Sequence, residues 1–453
     1  MCTVLLALAL AGPASPQDLA LKATVVTPTE VVNAAMVTVR NGRIDAVTPN
    51  GTAPNAVVVD GVMCPGLIDH HNHMTWNVLP NWQPPRLFTN RYQWQETPEY
   101  ALALAGPNAA MTNAGASCDT NRFGEVKSIV NGGTVTVGSY GPAGNAPDRN
   151  RCILGLARNA DFAMELKTPA TLNAEPYRNF VFPFQLNAEN ENLLRTVNPS
   201  STDPNVIRRA GVRLAEGTDA AARREFAQFM AHGYAKPGVN VIHAVALASD
   251  QIRALARAKV GLIWSPHSNF ILYGRTADIM TAMDAKMMVA LAPDWSPTGS
   301  VGMLEEIGVA YKYSLTLGAR IPEAALVEMA TINPAKMAGV AAQLGSIEPG
   351  KLADFLIMKR RGPNAYQSLL LAGPGDVLLV TVGGVPVYGD RALMHQLLPR
   401  APLEDLAVCG EPKSLHIVDS LASEQSWANV HQRLADLMKR IGLAPAPLAT
   451  CAP

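Results

Sequence analysis

Between Leu19 and Val59 the chain runs in short β-rich segments, such as Ala23-Thr-Val-Val-Thr27 and Ala35-Met-Val-Thr-Val39, punctuated by the turn pairs Asn41-Gly42 and Asn50-Gly51. Similar segments return near the other end, at Ala353-Asp-Phe-Leu-Ile-Met358, Val377-Leu-Leu-Val-Thr-Val382 and Val385-Pro-Val-Tyr388. The pattern predicts a small β-sandwich domain built from both chain ends, residues 19–64 plus 345–398, with residues 65–344 inserted between them. Within the insert, apolar runs alternate with helical patterns, as parallel βα units require. The runs are Gly133-Thr-Val-Thr-Val137, Phe180-Val-Phe-Pro-Phe184, Val212-Arg-Leu-Ala215, Val239-Asn-Val-Ile242, Val260-Gly-Leu-Ile263 and Met288-Val-Ala-Leu-Ala292; helical patterns include Asp219 to His232 and Asp250 to Lys259. A buried strand over Val57 to Ile68 makes seven strands, and an eighth is expected between Cys152 and Lys167. The predicted class is α/β, a TIM-like (β/α)8 barrel. Residues 399–453, which include the amphipathic segment Ser426 to Ile441, are expected to pack on the barrel.

Composition narrows the partners. Lys plus Arg equals Asp plus Glu at 37 each, and no basic run occurs. Neither nucleic acid nor an anionic membrane surface is indicated, and a small-molecule substrate is compatible. Formation of a homo-oligomer stays open. The apolar run Thr3 to Gly12, followed by Pro13-Ala-Ser-Pro16, is too short to span a membrane. It reads as a shortened signal peptide over residues 1–18 that lacks a basic leader, or else as a buried first element. Export to the periplasm or outside the cell is the expectation, and the six cysteines are then considered as pairs. Cys118 with Cys152 brackets a predicted strand, Cys409 with Cys451 brackets the tail, and Cys64 in an apolar run is read as a free buried thiol.

The chemistry starts at Pro65-Gly-Leu-Ile-Asp-His-His-Asn-His73, an apolar run ending in two histidines one residue apart. Residues i and i+2 of a strand share a face, so His71 and His73 can offer two imidazoles to one metal ion; solvated histidines at a polar strand end are the alternative. Other predicted strand ends carry Arg213 and Glu216, His243, and Asp294. Singly, a strand-end His is usually structural and a strand-end Asp is commonly a helix cap. Their order along the chain is more telling.

With these residues in order, the chain resembles the amidohydrolase superfamily, and within it the single-metal hydrolases and deaminases that include cytosine deaminase, adenosine deaminase-like enzymes and triazine hydrolases. The resemblance runs from about residue 20 to residue 390. It is carried by Pro65-Gly-Leu-Ile-Asp-x-His-x-His73, Gly132-Gly-Thr-Val-Thr-Val137, Leu214-Ala-Glu216, His243, Ser265-Pro-His-Ser-Asn269, Val289-Ala-Leu-Ala-Pro-Asp294, Ala330-Thr-Ile-Asn-Pro-Ala335 and Gly345-Ser-Ile-Glu-Pro-Gly-Lys-Leu-Ala-Asp354. Asn90-Arg-Tyr-Gln-Trp94 and Ala292-Pro-Asp-Trp-Ser-Pro297 look like an exported subgroup of ill-defined function. The resemblance implies hydrolysis of a C–N bond in an amide, cyclic amide or amino-heterocycle. It implies one divalent cation, Zn²⁺ ahead of Fe²⁺, on His71, His73 and Asp294. Glu216 becomes the proton shuttle, and His243 orients or helps deprotonate the water. Lys127 and Lys167 lie in helix-like or loop-like sequence, so no bridging carbamate and no second metal are expected.

One departure stands against these matches. Three residues before the glutamate the family pattern has a histidine ligand, and this chain has Arg213. A guanidinium has no lone pair for a metal. It also repels one, by about 4 kcal/mol per pair of unit charges 4 Å apart at an effective dielectric of about 20, and twice that for a dication. Three outcomes are open. Arg213 turns aside to pair with Glu216 or a substrate carboxylate; or it fills the metal's place between Asp294 and Glu216, leaving an inactive binding protein; or His267 supplies the missing ligand. Trp76, Trp94, Tyr273 and Trp295 lie beside the motifs and can line a pocket for a planar ligand or serve as core; Arg275 and Arg213 can bind a carboxylate, with surface pairing the default for Arg275.

Overall fold

The computed structural model of the chain describes residues 18–138, 156–162, 172, 177–203, 205–417 and 426–451, and the elements named are those of the described residues. Strands β1 (Leu19–Val26), β2 (Val31–Arg40), β3 (Arg43–Pro49) and β4 (Val57–Pro65) come from the start of the chain. Eight strands follow in the insert: β5 (Leu67–Asp69), β6 (Gly133–Thr136), β7 (Arg158–Asn159), β8 (Arg178–Val181), β9 (Ala210–Leu214), β10 (Val239–His243), β11 (Gly261–Trp264) and β12 (Val289–Leu291). The end of the chain supplies β13 (Phe355–Met358), β14 (Val377–Val382), β15 (Val385–Asp390), β16 (Glu404–Val408) and β17 (Glu411–Leu415).

The two chain ends meet in one continuous nine-stranded sheet, ordered β16-β17-β15-β14-β13-β4-β1-β2-β3. The seam is β4 against β13, antiparallel, with Phe355 opposite Pro65 and Leu356 opposite Cys64. Period-two alternation assigns its two faces to two cores. Met63, Phe355 and Ile357 join Leu21, Val37 and Leu379 in a core belonging to the sheet itself. Val62, Cys64, Leu356 and Met358 point the other way, into the main core of the insert. Each such side chain contributes about 1.5–3 kcal/mol of apolar burial, so the sheet is bonded to the insert hydrophobically along its length.

Two expectations are revised. Val57 to Ile68 is two strands, because the chain leaves the nine-stranded sheet at Pro65 and enters the insert at Leu67. Gly66 makes that transfer possible: a Cβ there would lie 2.3 Å from Thr134 Oγ1. Residues 404–415, read as a tail on the barrel, instead extend the sheet past β15. The helix Trp427–Arg440 does lie on the insert, where Trp427 packs on Phe123 and Arg433 pairs with Asp119 at 2.7 Å. The eighth strand, expected between Cys152 and Lys167, is β7.

In the insert the ladders form two parallel sheets, β12-β11-β10-β9-β8 and β5-β6-β7. A single parallel bridge, Asn72 to Asp294, spans the gap just beyond β5 and β12. Across the other gap Tyr177 N donates to Ala160 O at 2.9 Å. The helix Ala220–Ala231 is capped by Asp219, whose side chain accepts from Ala222 N. The expected signal segment lies outside the described residues, as do Cys152 and Lys167. Cys409 and Cys451 form a disulfide, and Cys64 is free and buried. No described helix is long and apolar enough to cross a membrane.

Candidate metal centre

The C-terminal ends of the insert's strands converge on one place, where parallel α/β folds collect functional groups. His71 and His73 follow β5, Arg213 lies in β9 with Glu216 just past it, His243 ends β10, and Asp294 follows β12. The backbone is strained here: His243 and Asp294 hold φ of 70° and 69°, a region non-glycine residues seldom occupy.

His71, His243 and Asp294 each bring a donor atom within 4.8 Å of the other two. His71 Nε2 is 3.0 Å from Asp294 Oδ1, yet it is buried with no hydrogen-bond partner. Two polar atoms lying that close without a well-formed hydrogen bond between them is an arrangement a shared cation resolves. Protonation states agree. Burial, then the Arg213 charge, pulls the His71 imidazole well below its ordinary range, against the pull of Asp294. Burial alone would raise Asp294, but His71 and His73 outweigh it and leave the carboxyl well below its usual range. Neutral imidazole beside ionised carboxylate is the state metal binding requires. His243 Nδ1 lies 3.1 Å from Asn269 Oδ1, and the Asn269 amide donates to Thr276 Oγ1 at 3.1 Å. That chain assigns the proton to Nδ1 and frees Nε2 for the site. A divalent cation therefore fits this donor set.

His73 behaves differently from the sequence expectation. Its Nε2 is 2.7 Å from Arg213 Nη2 and 3.5 Å from Asp294 Oδ1, so the guanidinium occupies the lone pair that was assigned to metal. Burial, and next the Arg213 charge, lower its pKa. Arg213 itself forms no ion pair with Glu216 or Asp294 among the described residues, which removes both pairings considered for it. Burial lowers the Arg213 pKa, and Asp294 and Glu216 oppose the shift. His267 is not part of the donor cluster, and its Nδ1 lies 3.0 Å from Ser300 Oγ.

Glu216 is buried and held at both oxygens. Tyr273 OH donates to Oε1 at 2.6 Å, Arg91 Nη1 lies 3.7 Å from Oε2, and His243 Nε2 lies 3.6 Å from the same oxygen. Trp94 Nε1 donates to Tyr273 OH at 2.8 Å, and Arg91 is shared with Glu225 at 3.2 Å. Burial and the Glu216 charge push the Tyr273 hydroxyl well above its ordinary range, so it stays a donor. Ser268 Oγ donates to Asp294 Oδ2 at 2.7 Å. Sequence reading noticed Tyr273 and Trp94 only as aromatics, and gave Ser268, Asn269 and Arg91 no role. The signal available was the run Ser265 to Asn269 after a predicted strand. Trp295 stands with its ring 5.4 Å from His73, and Trp76 lies 5.5 Å from Trp295. Arg275 is exposed. Lys127 is on the helix Ser117–Val130 and donates to Asn77 O and Ser296 Oγ.

Residues 238–387 match the sequence profile of the amidohydrolase family. A 5-methylthioadenosine/S-adenosylhomocysteine deaminase of Desulforudis audaxviator is 29% identical over 163 residues, 34% of this chain and 38% of that protein. An imidazolonepropionase of Geobacillus kaustophilus is 32% identical over 156 residues, 34% and 35% of the two chains. The chain thus spans little more than a third of the length of these curated relatives. Among solved structures, a zinc-bound adenosine deaminase from Xanthomonas campestris aligns with TM-score 0.69 at 17% identity, over 95% of this chain and 100% of that one. A zinc-bound atrazine chlorohydrolase from Arthrobacter aurescens aligns with TM-score 0.66 at 16% identity, over 82% and 95%. At such identities the alignments speak to fold.

Proposed function

We propose, from the premise that this chain belongs to the amidohydrolase superfamily, that it is a metal-dependent hydrolase of a C–N bond other than a peptide bond. The substrate is a small amide, cyclic amide or amino-heterocycle, and the metal is zinc before iron. The observation that carries the reading is the meeting of His71, His243 and Asp294, with the orphaned Nε2 of His71 turned to Asp294. We read the two parallel sheets as two arcs of one eight-stranded barrel, joined at the Asn72–Asp294 bridge.

A divalent cation bound there supplies the acidity that makes water nucleophilic near neutral pH. The rest belongs to the chain. Glu216 accepts a proton from the attacking water and returns it to the leaving nitrogen, so a C–O bond forms, the C–N bond breaks, and amine or ammonia departs. Tyr273 and Arg91 hold the Glu216 oxygens in place for both transfers. His243 Nε2, 3.6 Å from Glu216 Oε2, would hold the cation on the same side as that carboxylate. Trp76 lines a cavity with His73, and the buried Trp295 packs against both rings, an arrangement that suits a planar substrate.

Protein purified without chelator is expected to hold about one equivalent of metal, lost in His71→Ala and Asp294→Ala together with ammonia release from a panel of aminopurines and ring opening of a panel of cyclic amides. Less than about a tenth of an equivalent after zinc supplementation defeats the reading. The rival, a barrel that binds without catalysing, is favoured by the 2.7 Å contact of Arg213 with His73. Under it Arg213→His creates metal binding that the parent lacks; a parent that already binds as much removes it. We propose export as well, supported by the Cys409–Cys451 disulfide, which belongs to an oxidising compartment. Recovery only from the cytoplasm, with both thiols reactive, overturns that.

A further inference from the structure

We infer that the substrate carries a carboxylate beside the scissile bond and that the guanidinium of Arg213 receives it. The inference deepens the hydrolase reading and rests on it for the identity of the scissile bond.

Its basis is a cation that no described carboxylate contacts directly, the Asp294 and Glu216 charges acting on it from farther away. Arg213 makes one hydrogen bond among the described residues, to His73 Nε2, and no described carboxylate lies within ion-pair distance of it. The neighbouring acids are already engaged. Asp294 accepts from Ser268 and faces His71, and Glu216 is held by Tyr273 and Arg91. Asp161 accepts from Gly138 N and Asn179 Nδ2. A half-buried charge left this way is costly, and a planar oxyanion that meets the guanidinium with two parallel hydrogen bonds relieves the cost.

There is room for one. Arg213 and His73 line a cavity of about 610 Å³ whose wall also includes Arg178, Asn179 and Gln185. Arg178, on the adjoining strand β8, is exposed and without an ion pair among the described residues, so a second positive charge faces the same space. The two amides offer further donors. Asp161, which accepts from Gly138 N and Asn179 Nδ2, is the acid of this wall among the described residues.

Placement defines the ligand further. His73 Nε2 links the guanidinium, at 2.7 Å, to Asp294 Oδ1, at 3.5 Å. A carboxylate on Arg213 is therefore within a few bonds of the reacting carbon, as in N-acyl-α-amino acids or cyclic amides with a ring carboxylate. A histidine at position 213 would offer none of this. The substitution thus exchanges a ligand for a specificity group.

The test uses full-length protein of measured metal content. Matched acid and amide pairs are compared: N-acetylglycine against N-acetylglycinamide, and 5-oxoproline against its amide. The acids are expected to be favoured by about 100-fold in kcat/KM. In Arg213→Gln that preference collapses to less than about 5-fold, mainly through KM, and Arg213→Lys keeps part of it. Calorimetric binding of N-acetylglycine provides a reading independent of turnover, and should weaken at least about 10-fold in Arg213→Gln. The comparison of acid with amide in the parent protein needs no variant to fold. Equal treatment of acid and amide by metal-loaded enzyme overturns the inference while leaving the hydrolase standing. Without metal or turnover the hydrolase reading falls, and calorimetry decides the rest: equal affinity for acid and amide refutes the Arg213 site.

Discussion

Arg158 in β7 grips both carboxylate oxygens of Asp354, with Nε 2.7 Å from Oδ2 and Nη2 2.8 Å from Oδ1. The two are 196 residues apart in sequence and both are buried. Asp354 Oδ1 also accepts from Gly383 N at 2.7 Å, so one carboxylate joins the insert to the nine-stranded sheet and to its β14–β15 turn. Removing the guanidinium strands a buried anion. Arg158→Met is expected to cost about 3–5 kcal/mol in denaturant unfolding, and a cost below about 1 kcal/mol would show that the pair does not anchor the two units.

Tyr273 is the structural guard of Glu216. Tyr273→Phe removes a donor from the carboxylate and leaves the Trp94 indole without its acceptor. About 1–2 kcal/mol of stability should go with it. If the proposed reaction is right, kcat falls by about 10-fold or more while KM moves little, because Glu216 acts in proton transfer and not in holding substrate. A fall confined to KM would contradict that role.

Lys127 gives the native state a pH dependence of known sign. Its buried amine donates to Asn77 O at 2.9 Å and Ser296 Oγ at 3.0 Å, and burial lowers its pKa from 10.5 to about 7. Between those values the unfolded chain holds a proton that the native chain has released, so stability rises with pH, by at most about 1.4 kcal/mol per unit. Below about 7 both states are protonated and this contribution is constant. The difference in unfolding free energy between the parent and Lys127→Met, followed from pH 7 to about 10, should therefore grow in the parent's favour. A flat difference would mean that the amine keeps its ordinary pKa.

The strands and their parallel order were legible because local pattern and burial coincide in this chain. Val239 to Ile242 and Gly133 to Val137 are buried on both faces, as strands covered by helices must be, and they fold nearly where the pattern put them. The break at Gly66 was not legible. It depends on the Thr134 side chain, which arrives from another strand to fill the space a Cβ would need. The nine-stranded sheet was read short for a similar reason: Glu404 to Leu415 alternates too weakly to declare a strand until β15 offers it an edge.

The site divides along the same line. The sequence by itself determined which groups stand at strand ends, since the period of a strand and the punctuation after it place His71, His73, Glu216, His243 and Asp294 at the mouth of parallel units. Only the tertiary structure decided which atoms meet: that His243 joins His71 and Asp294, that Arg213 takes the lone pair of His73, and that Tyr273 and Arg91 hold Glu216. The physical reason is range. Periodicity acts over a few residues, whereas a contact between groups 140 residues apart, such as Arg213 with His73, depends on distances and angles that packing alone imposes.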